Sequence, residues 1–185
     1  SSDVCSSDLS FSSVTAIGSS ALYKNTASNL TAVGYQVLYN NTTGTNNTAV
    51  GYQALYNNIL GAGVNGYYNP AVGYQSLYNN ATGYYNTAVG YGALTSNTSA
   101  YSNTAVGYTA GNNTSTGVEN TAVGTEALLL NTAGTGNTVM GYRAGRGNAT
   151  GVYNTAIGWN SLTNNVAAYN TAIGAYSANS NTEGT

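Results

Sequence analysis

The feature that most constrains this chain is a repeat. The tripeptide Ala-Val-Gly or a near relative recurs with its glycine at Gly18, Gly34, Gly51, Gly73, Gly90, Gly107, Gly124, Gly141, Gly158 and Gly174, at intervals of 16, 17, 22, 17, 17, 17, 17, 17 and 16 residues. A fixed short period is the signature of a stacked architecture, because a unit this small cannot bury its own apolar face and gains a core only from its neighbours. The long interval carries an excess of five residues near positions 59–63. An insertion there should bulge as a loop without disturbing the stack.

Columns read outward from that glycine give a consensus close to N-T-A-V-G-Y-Q-A-L-Y-N-N-T-T-G-x-x. Val, Ile or Met precedes the glycine in all ten copies and Ala stands before it in nine, with Val139 the exception. Asn stands four places before the glycine in eight copies and seven places after it in nine. These two columns bracket a short strand-like segment where the backbone has to turn, and Asn tolerates left-handed conformations. A second glycine, as at Gly44, Gly83, Gly117, Gly134 and Gly151, marks another bend.

Stacking the copies at about 4.8 Å, the spacing of paired strands, joins every column into a ladder and predicts an all-β fold: a parallel β-solenoid of about ten coils on the order of 50 Å long. The expected ladder residues are Val33, Gly34, Val50, Gly51, Val72, Gly73, Val89, Gly90, Val106, Gly107, Val123, Gly124, Ile157, Gly158, Ile173 and Gly174. A helical solenoid competes at such periods, but 24 glycines and Asn/Thr-rich segments argue against helix. Strand alternation puts Thr48, Val50 and Tyr52 on one face and Ala49, Gly51 and Gln53 on the other. Both faces carry apolar positions, so two arrangements stay open. Either Val fills each coil, or Ala and Gly pack inside a thin coil and Val points out in a long apolar stripe that calls for association. In either case a charge at Val106 is expected to unravel its neighbours.

Composition narrows the function. Only 4% of the chain is charged, histidine is absent and there is one cysteine. General acid/base pairs, metal clusters and catalytic triads lack their parts, so the expectation is no enzyme and no cofactor. A net charge of −2 supplies no basic patch for nucleic acid, and no apolar run is long enough to cross a membrane. Glu119 and Glu126 read as isolated among neutral residues, and Arg143 and Arg146 as modulating the surface of one coil. The only cysteine, Cys5, lies in SSDVCSSDL, a non-repeat tail over residues 1–9 that reads as the in-frame translation of a sequencing adapter or as a native tail. The repeat domain then covers residues 10–185 and breaks off partway through a unit, as a fragment of a longer protein would.

The strings A-T-G-Y-Y-N-T-A-V-G at 81–90 and T-T-G-T-N-N-T-A-V-G at 42–51 resemble the head repeats of trimeric autotransporter adhesins, which read approximately A-x-G-x-N-S-x-A-I-G. Similar repeats occur in bacterial surface and phage tail-fibre-like proteins. The resemblance covers essentially residues 10–185. It implies a left-handed parallel β-roll, three chains side by side as a homotrimer, and a place outside the cell, at its surface or in a phage fibre. The adhesin repeat is shorter, and here an L-Y-N-N-like segment, as at 38–41, is added.

The function expected is therefore a structural and adhesive segment presenting a repetitive polar surface to a glycan or host-surface ligand by multivalent contact. The alternative is an ice-binding solenoid, suggested by the regular Thr column and a nearly uncharged surface; only one Thr per segment recurs, where a two-column array would be expected. Tyr35, Tyr52, Tyr74, Tyr91, Tyr108, Tyr142 and Trp159 follow the glycine and form either a seam between chains or a sugar-stacking face. Tyr39, Tyr56 and Tyr78, in a later column, are the candidates for an exposed contact surface. Nine N-x-S/T sequons begin at Asn29, Asn40, Asn41, Asn46, Asn80, Asn97, Asn112, Asn113 and Asn148. Any that stand in a buried ladder are closed to glycosylation.

Overall fold

A computed structural model of the chain describes residues 12–59, 66–164 and 167–180. The 1–9 tail and most of the insertion lie outside the described residues. Ten short strands follow in order: β1 (Val14–Ile17), β2 (Leu30–Val33), β3 (Thr48–Val50), β4 (Pro70–Val72), β5 (Thr87–Val89), β6 (Thr104–Val106), β7 (Thr121–Val123), β8 (Thr138–Met140), β9 (Thr155–Ile157) and β10 (Thr171–Ile173). They form a single sheet in sequence order with every neighbouring pair parallel, as in Thr31↔Thr48, Ala32↔Ala49 and Val33↔Val50. Parallel pairing of consecutive strands obliges the chain to complete a circuit between them, and with no helix among the described residues that circuit is one coil of a β-solenoid. The insertion leaves the stack intact, since β3 pairs with β4 as Thr48↔Pro70, Ala49↔Ala71 and Val50↔Val72.

Axial hydrogen bonding extends well beyond the three-residue strands. The N–H of Gln53 donates back to the Tyr35 carbonyl at 2.9 Å, that of Leu38 forward to Ala54 at 3.1 Å, and that of Tyr85 back to Tyr67 at 3.2 Å. These donors share a backbone property. The residues two and four places after the glycine and five places before it lie at φ near +50 to +60°, among them Gln53 (53°), Leu38 (50°) and Tyr85 (56°). Left-handed geometry at a non-glycine residue costs about 1–2 kcal/mol. It is tolerated at these corners because it keeps each N–H aimed along the axis while the chain bends, and a buried unpaired N–H costs as much or more. The turning positions are therefore occupied by Leu, Gln and Tyr, and not by the Asn columns that the sequence suggested.

The asparagines serve a different end: they are buried. In the column four before the glycine, the Asn86 N–H donates to Asn69 Oδ1 at 3.0 Å and Asn103 does the same to Asn86, while Asn86 Nδ2 reaches the Ala100 carbonyl at 2.8 Å. The second column links Nδ2 to Oδ1 from Asn41 to Asn25 (2.8 Å), Asn58 to Asn41 (2.6 Å), Asn80 to Asn58 (3.0 Å) and Asn97 to Asn80 (2.8 Å). Thr114 interrupts this ladder, and above it Asn131 Oδ1 is buried with no partner. The second glycine sits against the same amides: a Cβ on Gly83 would lie 2.2 Å from Asn80 Oδ1 and 2.5 Å from the Ala100 carbonyl. Its conservation within the repeat reflects close approach.

The parity question resolves in favour of the thin coil. Ala32, Ala49, Ala71, Ala88 and Ala156 are wholly buried, and beside them Leu38, Leu55, Leu77, Leu94, Leu128 and Leu162 fill the interior. Small and large columns are complementary in volume, which close packing requires. The eighth coil demonstrates the trade. Val139 replaces the usual Ala where Gly145 replaces the usual Leu, and a Cβ on Gly145 would meet Val139 Cγ2 at 3.1 Å.

Candidate interaction surface

With alanine inside, the other strand face looks outward. Val72 (40% exposed), Val89 (37%), Val106 (37%), Met140 (48%) and Ile173 (68%) form an apolar file along the stack, and the alternating threonines share its face. Val33, Val50, Val123 and Ile157 continue the file half-buried, and the in-register glycines beside them donate axial bonds such as Gly51 N–H to the Val33 carbonyl at 2.8 Å. The expectation that Asp at Val106 unravels the coils does not hold for this face, because a carboxylate there would reach water.

Just past the glycine the aromatic column stacks in register. Ring centroids are 5.3 Å apart for Tyr35–Tyr52, 5.1 Å for Tyr52–Tyr74, 4.7 Å for Tyr74–Tyr91 and 5.2 Å for Tyr91–Tyr108, with planes within 17° of parallel. After Thr125 breaks the file it resumes with Tyr142 and Trp159 at 5.8 Å. These rings are the exposed ones, Tyr35 at 45% and Tyr108 at 53%. Tyr39, Tyr56 and Tyr78, for which greater exposure was expected, are half-buried and stack with Tyr23 at 4.9–5.1 Å. The reason is their place: each follows a buried Leu at the corner and lies back on the coil.

Stacking also determines what a file can contact. Within the run, Tyr52, Tyr74, Tyr91, Tyr39 and Tyr56 have rings against both faces, so only edges and hydroxyls meet solvent. A pyranose lying flat on an aromatic needs a free face, so these rings favour edge contact with a protein surface over sugar stacking. A third aromatic group, which reading by the main columns missed, lies five and six places before the glycine: Tyr67, Tyr84 and Tyr101 run in file, Tyr68 stacks on Tyr85 at 5.5 Å, and the two files meet edge to face. Its signal was the Tyr-Tyr pair repeated at a 17-residue offset.

Charge is concentrated at one place. Glu126 Oε2 accepts from Arg143 Nε at 2.8 Å and Arg146 Nε at 2.9 Å, so the carboxylate read as isolated is shared by both arginines. These hydrogen bonds hold its pKa below the ordinary carboxylate range. The coil offset explains the pairing: Glu126 and Arg143 occupy the position that Gln36, Gln53 and Gln75 fill elsewhere, and there the side-chain amides link at 2.8 and 2.9 Å. The ion pair is a charged version of that ladder. Arg143 also lies over the Tyr142 ring, 5.0 Å from its centroid.

Four sequon asparagines, Asn41, Asn80, Asn97 and Asn148, are at most 1% exposed and closed to a glycosyl group. No group of three or more potential metal ligands occurs among the described residues, and no described helix is long and apolar enough to cross a membrane. No protein-family model, curated protein or solved structure matches the chain. Its class is defined by its own geometry: a β-solenoid repeat protein with an outward Val–aromatic ribbon.

Proposed function

We propose that this chain is a structural and adhesive repeat segment of an extracellular surface or fibre protein, in which copies pack side by side through the Val–aromatic ribbon and leave their polar faces outward. The observation that carries the reading is the outward apolar file of Val, Ile and Met, exposed or half-buried along its length, beside stacked Tyr and Trp on a molecule with almost no charge. Soluble monomers rarely leave such a stripe open, and the edge-on rings suit a protein neighbour. The homotrimer implied by the adhesin-like strings is the simplest closed arrangement. Contacts with a glycan or host surface then fall to the polar faces, where each coil repeats the same groups.

Sedimentation equilibrium tests the assembly. The native chain should form a discrete oligomer, and Val106→Asp, whose side chain can reach water in the single chain, should yield a folded monomer. A native chain that stays monomeric with unchanged β-sheet circular dichroism would remove the ribbon as a seam. Glycan-array binding by the oligomer checks the adhesive part, and its absence would reduce the segment to a spacer.

One observation favours the second reading, an ice-binding face. Thr and Val point outward together, so the strands present two regular columns, one of Thr and one of Val, Ile and Met, interrupted in the Thr column only by Pro70. Thermal hysteresis from a monomeric chain would favour it, since a ribbon covered by other copies cannot also face ice.

A further inference from the structure

We infer that the tyrosine files are sites of oxidative phenol coupling, in which a one-electron oxidant joins successive rings covalently and staples one coil to the next. The geometry is that of paired reactants. Tyr39 and Tyr56 have centroids 5.1 Å apart and planes 5° from parallel, Tyr56 and Tyr78 5.1 Å and 8°, and Tyr74 and Tyr91 4.7 Å and 5°. Stacking keeps each phenol beside its partner one coil away, so coupling needs the two rings to turn edge to edge about their side-chain torsions and needs no diffusion. The axial hydrogen bonds on either side hold that register.

Chemistry favours tyrosine as the group oxidised. Coils two to four contain no cysteine, methionine or tryptophan among their described residues, and both tyrosine files run through them. Partial burial shields Tyr39, Tyr56 and Tyr78 from rings on other molecules while leaving their internal neighbours in place.

The step balances as follows. The oxidant removes one electron from a phenol, whose O–H proton goes to water, leaving a phenoxyl radical with spin on its ortho carbons. A second oxidation produces a neighbouring radical. The two ortho carbons form a C–C bond, each then loses its hydrogen as a proton, and each oxygen regains one. Two electrons pass to the oxidant and two protons to water for every biphenol formed. The link closes a loop of 16 residues for Tyr23–Tyr39 and 17 for Tyr39–Tyr56.

The test uses the full chain at high dilution, with a ruthenium polypyridyl photo-oxidant and persulfate as the terminal electron acceptor. Expected are dityrosine fluorescence, a mass lower by two hydrogens per link, and peptide maps in which linked pairs lie one coil apart, chiefly Tyr23–Tyr39, Tyr39–Tyr56, Tyr56–Tyr78 and the Tyr35–Tyr108 file. The double variant Tyr39→Phe, Tyr56→Phe keeps the stacking rings but leaves no adjacent phenols in its file. It should lose those links, keep those of the other file, and show a smaller rise in Tm on oxidation than the native chain. Three outcomes would overturn the inference: no dityrosine in the native chain, a map dominated by self-links or pairs several coils apart, or the same map from the urea-unfolded chain.

Discussion

Replacing Asn120 by alanine cuts the longer asparagine ladder near its middle. The side chain is 3% exposed. Its Nδ2 donates to Asn103 Oδ1 at 3.0 Å and to the Gly134 carbonyl at 2.9 Å, and its Oδ1 accepts from the Asn137 N–H and from Asn137 Nδ2, both at 3.0 Å. Most partners keep a second bond after the change: Gly134 O retains the Asn131 amide, and Asn137 Nδ2 retains Gly151 O. The Asn137 N–H is left without its acceptor. One buried orphan donor costs about 1–3 kcal/mol and the other severed bonds about 1 kcal/mol each. Together these come to about 4–6 kcal/mol before the void left by the amide is counted, a large part of a typical domain's total of about 5–15 kcal/mol. Urea unfolding followed by circular dichroism would measure it, with exposed Thr116→Ala as a control expected within about 0.5 kcal/mol of the parent. Because each coil touches only its neighbours, amide exchange should accelerate at Asn137 and adjacent coils while Asn69 and Asn86 stay protected. A loss under about 1 kcal/mol, or undiminished protection at Asn137, would show that the ladder is incidental to stability.

Three further outcomes follow from the same geometry. Ala88→Val, in a coil whose Leu94 is present, should destabilise by about 1–3 kcal/mol through overpacking; Ala105→Val, beside Gly111 where a leucine would otherwise stand, should cost distinctly less, and paired urea midpoints would check the order. Gly107→Ala should be severe, because its φ is +139° and the new Cβ would lie 2.5 Å from the Gly124 carbonyl; loss of the cooperative thermal transition is the readout. For Glu126, a folded-state pKa below the unfolded value means that its contribution is present above the unfolded pKa and lost as pH falls through the folded one. The Tm gap between the native chain and Glu126→Gln should therefore be open at neutral pH and close under acid, and it should be small and shrink with salt because the groups are partly exposed.

Much of the fold was legible because a ladder demands the same residue at the same place in every turn. Period, register, tolerance of the insertion and the stacking of Asn on Asn and Tyr on Tyr all follow from that condition. Particular roles were less legible. Asn suggested bends because it is the side chain best suited to left-handed backbone, yet its amide is worth more as a buried link, and the bends fall to Leu38, Gln53 and Tyr85. The pairing of Glu126 with Arg143 was hidden by distance along the chain and becomes plain only when 17 residues are counted as one step along the axis.

Which strand face lies inside was beyond the reach of the sequence, since Ala and Val are both apolar and alternate without favouring either side. Volume decides it once the coil is closed. The leucines at the corner and the two files of asparagine occupy the interior, leaving room for a methyl group and not for an isopropyl, so alanine turns in and valine turns out. The one valine admitted to the strands' alanine column, Val139, takes the space that Gly145 vacates.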